Sequence, residues 1–406
     1  MARDRSERAR WRSAADLLAL VRREPGITRA EAAQRLDLST GSATEITARM
    51  RELCLLDEAP APASGRGRPT TLLRPHPRGP MVVVADLRQE DWRCAVAAVD
   101  GQVRILESAR HDTRDPRLVL GRLGQAVERA RRRFPDRVRA ISVAVPGVVS
   151  GGRLVQAATL DWSPEDLADL TDLVDLAGNS GDADEPGGGG GVSLLVGNDA
   201  TLAGVAEART GCAAGAGTAL HLLVEVGIGG ALIHDGRPVP GQGGAGGEFG
   251  HLPFGDRSLR CPCGARGCWD LEVDGRALAR HLGEPPPADP RTFTRTVLDR
   301  TDAAARRAVG SVVAALGSGI AGLVNAHDPE LVTLGGLAVP LRAANPTAFD
   351  AAYTDGLMTF LRARPPAVLD ARHGDAGALN GAAAVGLDQV TGESALAAWA
   401  RERRPR

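Results

Sequence analysis

Apolar residues recur at helical spacing three times near the N-terminus: Leu17, Leu18 and Val21; then Ala32, Ala33 and Leu36; then Ala43, Ile46, Met50 and Leu53. The pattern predicts three helices within the first 58 residues, separated by short breaks at Pro25-Gly26 and Asp37-Leu38. Thr28 followed by Glu31 is a capping box for the second helix, and Ser39 is a natural N-cap for the third. Residues 59–80, APAPASGRGRPTTLLRPHPRGP, hold an extended TTLL between a Gly/Arg/Pro turn and a Pro-rich linker, which places a boundary near residue 80.

From Met81 the texture changes to short apolar runs alternating with helical stretches. These are MVVVA, CAVAAV closed by Asp100-Gly101, a helix around 116–133, and AISVAVPG. Such alternation predicts an α/β body. Residues 178–191, GNSGDADEPGGGGG, are low-complexity and read as a surface loop, because the strand VSLLV resumes at once. A Gly-dense region follows at 227–250 and a Pro-rich loop near 284–290. An amphipathic helix then carries Val309, Val312, Val313, Leu316, Ile320 and Leu323, stops at Asp328-Pro329, and leads into LVTL and Gly335-Gly336. The sequence contains no internal repeat of solenoid period.

With 406 residues, 43% hydrophobic and 24% charged, the chain can build packed cores in more than one domain, which excludes a mainly disordered or fibrous protein. The formal net charge of −1 conceals an asymmetry. Residues 1–80 hold 15 Arg against 10 acidic residues, a balance of +5, and the remainder holds 34 Arg against 40, a balance of −6. Every basic side chain is an arginine. No run approaches the ~18–20 apolar residues of a membrane span, and MARDRSERARWR lacks the apolar core of a signal peptide. A cytoplasmic protein without a membrane partner is therefore expected.

Three helices, a Gly-Arg turn and a strand outline a winged helix-turn-helix, whose third helix enters the major groove of double-stranded operator DNA. With Ala43, Ile46, Met50 and Leu53 facing inward, Thr40, Gly41, Thr44, Glu45 and Ala48 lie opposite. Together with Ser39 and Ser42 they are candidates to face DNA, and Arg66 and Arg68 of GRGRPT are candidates for the minor groove or backbone at the wing tip. Glu45 repels phosphate, so it must meet a cytosine amino group or point away. The alternative is a small helical dimerisation module with solvated charges.

Six cysteines are too sparse for a disulfide scaffold, yet three fall between positions 261 and 268. His251, Cys261, Cys263 and Cys268 form H-x9-C-x-C-x4-C, the softness and number of donors that a closed, structural zinc site uses. Buried free thiols or a redox pair are the alternatives, and Cys54, Cys94 and Cys212 read as packing residues. Asn198-Asp199 stands between a strand and a helix, where it is either a helix cap or a pair of ligand-binding groups.

The ordered series VPGVV at 145–149, GND at 197–199, GIGGALIHDG at 227–236, GGAGGEFGH at 243–251, CPCGARGCWD at 261–270 and DPELVTLGG at 328–336 closely resembles the ROK family of repressors, open reading frames and kinases. The resemblance spans essentially the whole chain, because the head with its GRGRP wing is similar to that of the family's sugar-responsive repressors. It implies an actin-like, ribonuclease H-like body of two α/β lobes, 81–197 and 198–406, with a C-terminal helix returning to the first lobe and a sugar between the lobes. It further implies that Asn198, Asp199 and Glu248 hydrogen-bond sugar hydroxyls and that His251 both ligates zinc and contacts the sugar. Asp270, a further candidate sugar ligand, stands where the family commonly has Glu, and its shorter side chain would bind through water. The aspartate matching Asp199 is the general base in the family's kinases. Two phosphate loops depart from the kinase pattern: D-x-G-G-T is replaced by Asp86-Leu87-Arg88-Gln89-Glu90, and G-T-G-I-G by Glu225-Val226-Gly227-Ile228-Gly229. The resemblance thus leads to the expectation of a sugar-responsive, zinc-containing repressor, a homodimer or homotetramer, without ATP binding or enzyme activity. A sugar kinase with a regulatory head is the alternative.

Overall fold

In the computed structural model, which describes residues 2–61, 71–157, 160, 162 and 192–403, the N-terminal periodicity becomes three helices, α1 (Ala2–Arg23), α2 (Arg29–Arg35) and α3 (Thr40–Glu52). The capping box of α2 closes in both directions: the Glu31 N–H donates to Thr28 Oγ1 at 3.2 Å and the Thr28 N–H to Glu31 Oε2 at 2.9 Å. Ser39 Oγ accepts from the Ser42 N–H at 3.1 Å and starts α3. The third helix buries Ala43, Thr47 and Met50, with Ile46 half-buried. Thr47 was missed as an inward residue because it is polar; its hydroxyl donates to the Ala43 carbonyl at 2.7 Å, which lets it sit inside.

The helical reading of the first 58 residues runs too far. After α3 the chain turns at Cys54, φ +56°, into β1 (Leu56–Pro60), which pairs antiparallel with β2 (Thr71–Pro75) in a two-stranded wing. The wing is held to the helices where the Leu73 N–H donates to the Ile27 carbonyl at 2.8 Å. Arg66 and Arg68, and the low-complexity segment 178–191, lie outside the described residues.

The described residues form two compact units. One comprises 2–61, 71–143, 192–196 and 382–403, the other 144–157, 160, 162 and 197–381. In the first unit the apolar faces of α1–α3 and the wing meet in a core of Leu18, Val21, Met50, Leu55, Leu56 and Leu73, joined by Leu396 and Trp399 of the helix Glu393–Glu402. Trp399 donates from Nε1 to the Leu53 carbonyl at 2.8 Å, satisfying a group that the end of α3 leaves open. Its five-stranded sheet has the order β5-β4-β3-β6-β9: β3 (Met81–Leu87), β4 (Asp91–Ala98), β5 (Val103–Arg110), β6 (Val138–Val145) and β9 (Ser193–Asn198). β3 is buried along its whole length, which explains its continuous apolar run. Helix α4 (Pro116–Arg133) packs Val119, Leu123 and Val127 inward.

In the second unit a short hairpin, β7 (Val148–Ser150) with β8 (Arg153–Gln156), precedes helix α5 (Asp199–Thr210). The sheet order is β12-β11-β10-β13-β14, formed by β10 (Thr218–Val224), β11 (Ile228–His234), β12 (Arg237–Pro238), β13 (Leu331–Gly336) and β14 (Ala367–Asp370). Helices α6 (Gly275–Leu282), α7 (Pro290–Leu298) and α8 (Ala303–His327) complete its core. Among the described residues α8 is long and apolar enough to cross a membrane, yet Val312, Val313, Leu316, Ile320 and Leu323 are buried within this unit.

Candidate functional site

Residues 255–268 fold back on themselves through short-range backbone bonds: the Gly255 N–H donates to the Gly267 carbonyl at 2.9 Å, Gly267 to Leu259 at 3.0 Å, and Cys261 to Ala265 at 2.8 Å. Gly264 and Gly267, at φ +96° and +73°, supply left-handed turns that other residues adopt only with strain. The knuckle turns three cysteines toward His251, which arrives from the 3-10 turn Phe249–His251, and the donor atoms of His251, Cys261, Cys263 and Cys268 all lie within 4.8 Å of one another. Burial pushes the Cys268 thiol up to about 12, with Cys261 and Cys263 adding to the effect, and burial raises Cys261 as well. A bound divalent cation reverses that preference by stabilising thiolates, so three sulfurs and one imidazole fit a metal ion. Trp269 anchors the knuckle to α8: it donates from Nε1 to the Ala315 carbonyl at 3.0 Å, and a Cβ on Gly319 would come within 2.1 Å of its ring.

The same histidine organises a polar cradle. His251 Nε2 lies 3.7 Å from Glu248 Oε2, and its Nδ1 lies 3.6 Å from Asp270 Oδ2. Burial raises the Glu248 carboxyl, opposed by His251. Asp270 points its other oxygen away from the cradle, accepting from the Ile228 N–H at 2.6 Å. Asn198 caps α5: Oδ1 accepts from the Thr201 N–H at 2.8 Å while Nδ2 donates to the Gly147 carbonyl at 3.0 Å. Asp199 Oδ1 accepts from the Ala200 N–H at 2.8 Å. A Cβ on Gly229 would lie 2.6 Å from Ala200, and one on Gly247 2.1 Å from the Gly230 carbonyl, so the segments carrying Asp199 and Glu248 approach consecutive residues of β11.

The two departing loops are also defined. In the first unit Asp86, 1% exposed, is paired with Arg93 directly across the β3–β4 register; Arg93 Nη2 and Nε donate to Asp86 Oδ2 at 2.5 and 3.0 Å. Burial raises the Asp86 carboxyl and Arg93 opposes that shift. In the second unit Glu225, in the β10–β11 turn, lies 2.8 Å from Arg291 Nε, and Arg291 Nη2 donates to Asp375 Oδ1 at 3.0 Å. Sequence reasoning missed Arg93, Arg291 and Asp375. A β4 strand started at Asp91 places Arg93 opposite Asp86, whereas nothing in the spacing links Arg291 to Glu225.

On α3 the residues Ser39, Thr40, Gly41, Ser42, Thr44, Glu45 and Ala48 are all exposed. Three of the hydroxyls are engaged locally, Ser39 as the cap, Ser42 in a 2.9 Å hydroxyl–hydroxyl bond with Ser39, and Thr44 by donating to the Thr40 carbonyl at 2.8 Å.

Residues 188–389 match the model of the ROK family, and the chain belongs to that family. N-acetyl-D-glucosamine kinases of Escherichia coli O9:H4 and Shigella flexneri are 32% and 31% identical over 179 residues, 40% of this chain; the match spans 57% of those relatives' length. Among solved structures, a ROK family transcriptional regulator that is a homolog of the E. coli MLC protein superposes with a TM-score of 0.74 at 20% identity, covering 97% of this chain and all of the other. The ROK hexokinase of Thermus thermophilus gives 0.56 at 29% identity, over 75% of this chain and 96% of its own. A ROK glucokinase from Streptomyces griseus, in complex with glucose and AMPPNP, gives 0.60 at 22% identity, over 75% and 98%. The mixed α/β body with two sheets is therefore the fold of the ROK sugar kinases, here preceded by a helical N-terminal region.

Proposed function

We propose that this protein is a sugar-responsive, DNA-binding transcriptional repressor of carbohydrate metabolism with a structural zinc ion. What supports the reading is the three-helix head with its two-stranded wing ahead of a ROK-like body: α3 exposes Thr40, Ser42, Thr44 and Glu45, and the regulator similar to this chain covers 97% of it where the hexokinase and glucokinase cover 75%. Residues 1–80 act as the head. Ser39, Thr40, Ser42, Thr44 and Glu45 face the major groove, and Arg66 and Arg68 reach the backbone or minor groove. His251, Cys261, Cys263 and Cys268 hold zinc, while Asn198, Asp199, Glu248 and His251 bind sugar hydroxyls. A homodimer presents two heads to a pseudo-palindromic operator. Sugar binding shifts the heads, and a coupling of ~1–3 kcal/mol changes operator affinity ~5–150-fold. Genome-wide capture of bound DNA tests this: enrichment of palindromic sites beside sugar transport and metabolic genes is expected, and absence of any enriched site refutes it.

The second reading, a kinase with a regulatory head, is favoured by Asp199 and by the identity to N-acetyl-D-glucosamine kinases. Against it stand the guanidiniums that Asp86 and Glu225 already hold in the two loops. ATP-dependent phosphorylation of a panel of hexoses and amino sugars decides between the two, since turnover at ordinary enzymatic rates establishes the kinase.

A further inference from the structure

Residues 255–268 are shaped by hydrogen bonds among themselves, and bonds of that kind set the form of a loop more firmly than they close its neck. The neck is where Gly255 and Asp256 meet the chain that leaves Cys268, and one carboxylate spans it. From the 3-10 turn Trp269–Glu272, Glu272 reaches back so that Oε1 accepts from the Asp256 N–H at 3.0 Å, while Oε2 accepts from Arg280 Nη2 of α6 at 2.8 Å. The same guanidinium nitrogen donates to the Leu271 carbonyl at 2.7 Å, which fixes the turn that presents Glu272. A Cβ on Gly255 would lie 2.8 Å from Glu272 Cγ, so glycine at the neck leaves the side chain its path. The Glu272 side chain is 15% exposed, which gives its bonds more weight than those of an open surface pair. Asp256 carries the constraint inward: its Oδ1 accepts from the Ser258 N–H at 2.8 Å, and the Ser258 carbonyl accepts from Arg266 Nη1 at 3.0 Å. A continuous run of hydrogen bonds thus leads from α6 through Glu272, Asp256 and Ser258 to Arg266, which stands between Cys263 and Cys268.

We propose that Glu272 is a positioning residue for the metal cluster, a clamp at the neck of the knuckle that keeps Cys261, Cys263 and Cys268 within reach of one another and slows the departure of a bound ion. Gathering three thiols on a loop without regular structure costs chain entropy, and a closed neck lowers that cost in the folded chain before any ion arrives. For an ion to leave, the loop must open, and opening first breaks the bond between Glu272 and the Asp256 N–H. Glu272 acts through the backbone and not as a ligand, so its loss changes how long the ion stays and not which atoms hold it. The inference rests on the zinc reading of the cluster and adds to it the residue that governs retention.

The experiment loads the full chain with zinc and follows its release to an excess of a chromogenic chelator in the wild type, Glu272→Ala and Glu272→Gln, with the cobalt-loaded protein giving the absorption spectrum of the site. In Glu272→Ala release speeds up by about tenfold or more, while the cobalt bands keep their wild-type positions because the four donors are untouched. Glu272→Gln keeps an oxygen for the Asp256 N–H and stays within about threefold of wild type. Unchanged release in Glu272→Ala overturns the proposal. So does release from Glu272→Gln as fast as from Glu272→Ala, since charge and not the neck bond would then be at work, and so do shifted cobalt bands, which would mean an altered donor set. Should the alanine variant fail to fold, Glu272→Asp, one methylene short of the Asp256 N–H, takes its place with the same outcomes. A wild-type chain that takes up neither metal refutes the zinc reading and the clamp together, whereas bound zinc with unchanged release refutes the clamp alone.

Discussion

The cysteine knuckle and the two loops at 86–91 and 225–229 handle charge in opposite ways. In the knuckle three sulfurs and an imidazole converge, and burial favours the protonated form of the Cys261 and Cys268 thiols, so the cluster gains most when a cation enters from outside. In the loops each carboxylate meets a guanidinium of its own unit, Arg93 on Asp86 and Arg291 on Glu225. A site neutralised from within has little left to offer a metal-bound phosphate, while a site of crowded soft donors recruits its ion. Both regions are rich in polar residues, and only the identity of the neighbours separates the one that receives from the one that is already filled.

The contrast breaks first if the knuckle does not need its ion. Metal analysis should find about one zinc per chain, and stripping it or introducing Cys268→Ser should cost several kcal/mol, by analogy with structural zinc sites that supply folding free energy outright. Calorimetry reads the loss, and an unchanged melt of the stripped protein would show the cluster to be packing alone. Next in size is Arg93→Ala, which leaves Asp86 buried without its partner and should destabilise by ~3–5 kcal/mol in urea unfolding. The double change Asp86→Asn with Arg93→Met should recover most of that loss; if it does not, the pair is not the cause.

A third buried polar group sharpens the comparison, because it has neither an external ion nor a guanidinium beside it. His221 bonds to Thr333 Oγ1 through Nδ1 at 2.9 Å, its Nε2 has no hydrogen-bond partner among the described residues, and burial holds it down to about 4. The folded state keeps this ring neutral while the unfolded chain takes up a proton near pH 6.5, so the unfolded state binds more protons between these values. Stability should be intact above pH ~6.5 and fall by about 3 kcal/mol as the pH drops toward 4. Urea midpoints from pH 7 to 4.5 measure the slope, and His221→Leu should flatten it; a slope that survives the substitution assigns it elsewhere. The smallest effect belongs to Glu225→Gln. Its pair with Arg291 is 26% and 14% exposed, so the change should cost under ~1 kcal/mol, comparable to Ser39→Ala at the cap of α3. A loss of several kcal/mol would make the loop a structural keystone instead of a filled site.

Much of this architecture is legible in the sequence. The three head helices, the capping box at Thr28, the boundaries of α4 and the end of α8 at Asp328 follow from period and caps. The strand β1 did not, because Leu-Asp-Glu-Ala-Pro lacks clear alternation and is a strand only by virtue of its pairing with β2. β5 escaped for a related reason, being an edge strand whose residues are largely exposed and charged. At the candidate site the spacing points to the four residues whose donor atoms the structure brings together, whereas nothing in it links Asp270, a candidate sugar ligand, to Ile228, whose N–H donates to one of its oxygens.

The division follows chain distance. Helix starts and the three-cysteine knuckle are decided by residues within a few positions of one another, where bond geometry leaves few alternatives, and His251 stands ten residues upstream in the same motif, so the sequence by itself determined them. Arg291 against Glu225, Trp399 beneath Leu53 and Asp270 against Ile228 join residues far apart along the chain. Packing and sheet register bring those partners together, and only the tertiary structure could decide them, because the spacing of residues along the chain does not record which surfaces meet.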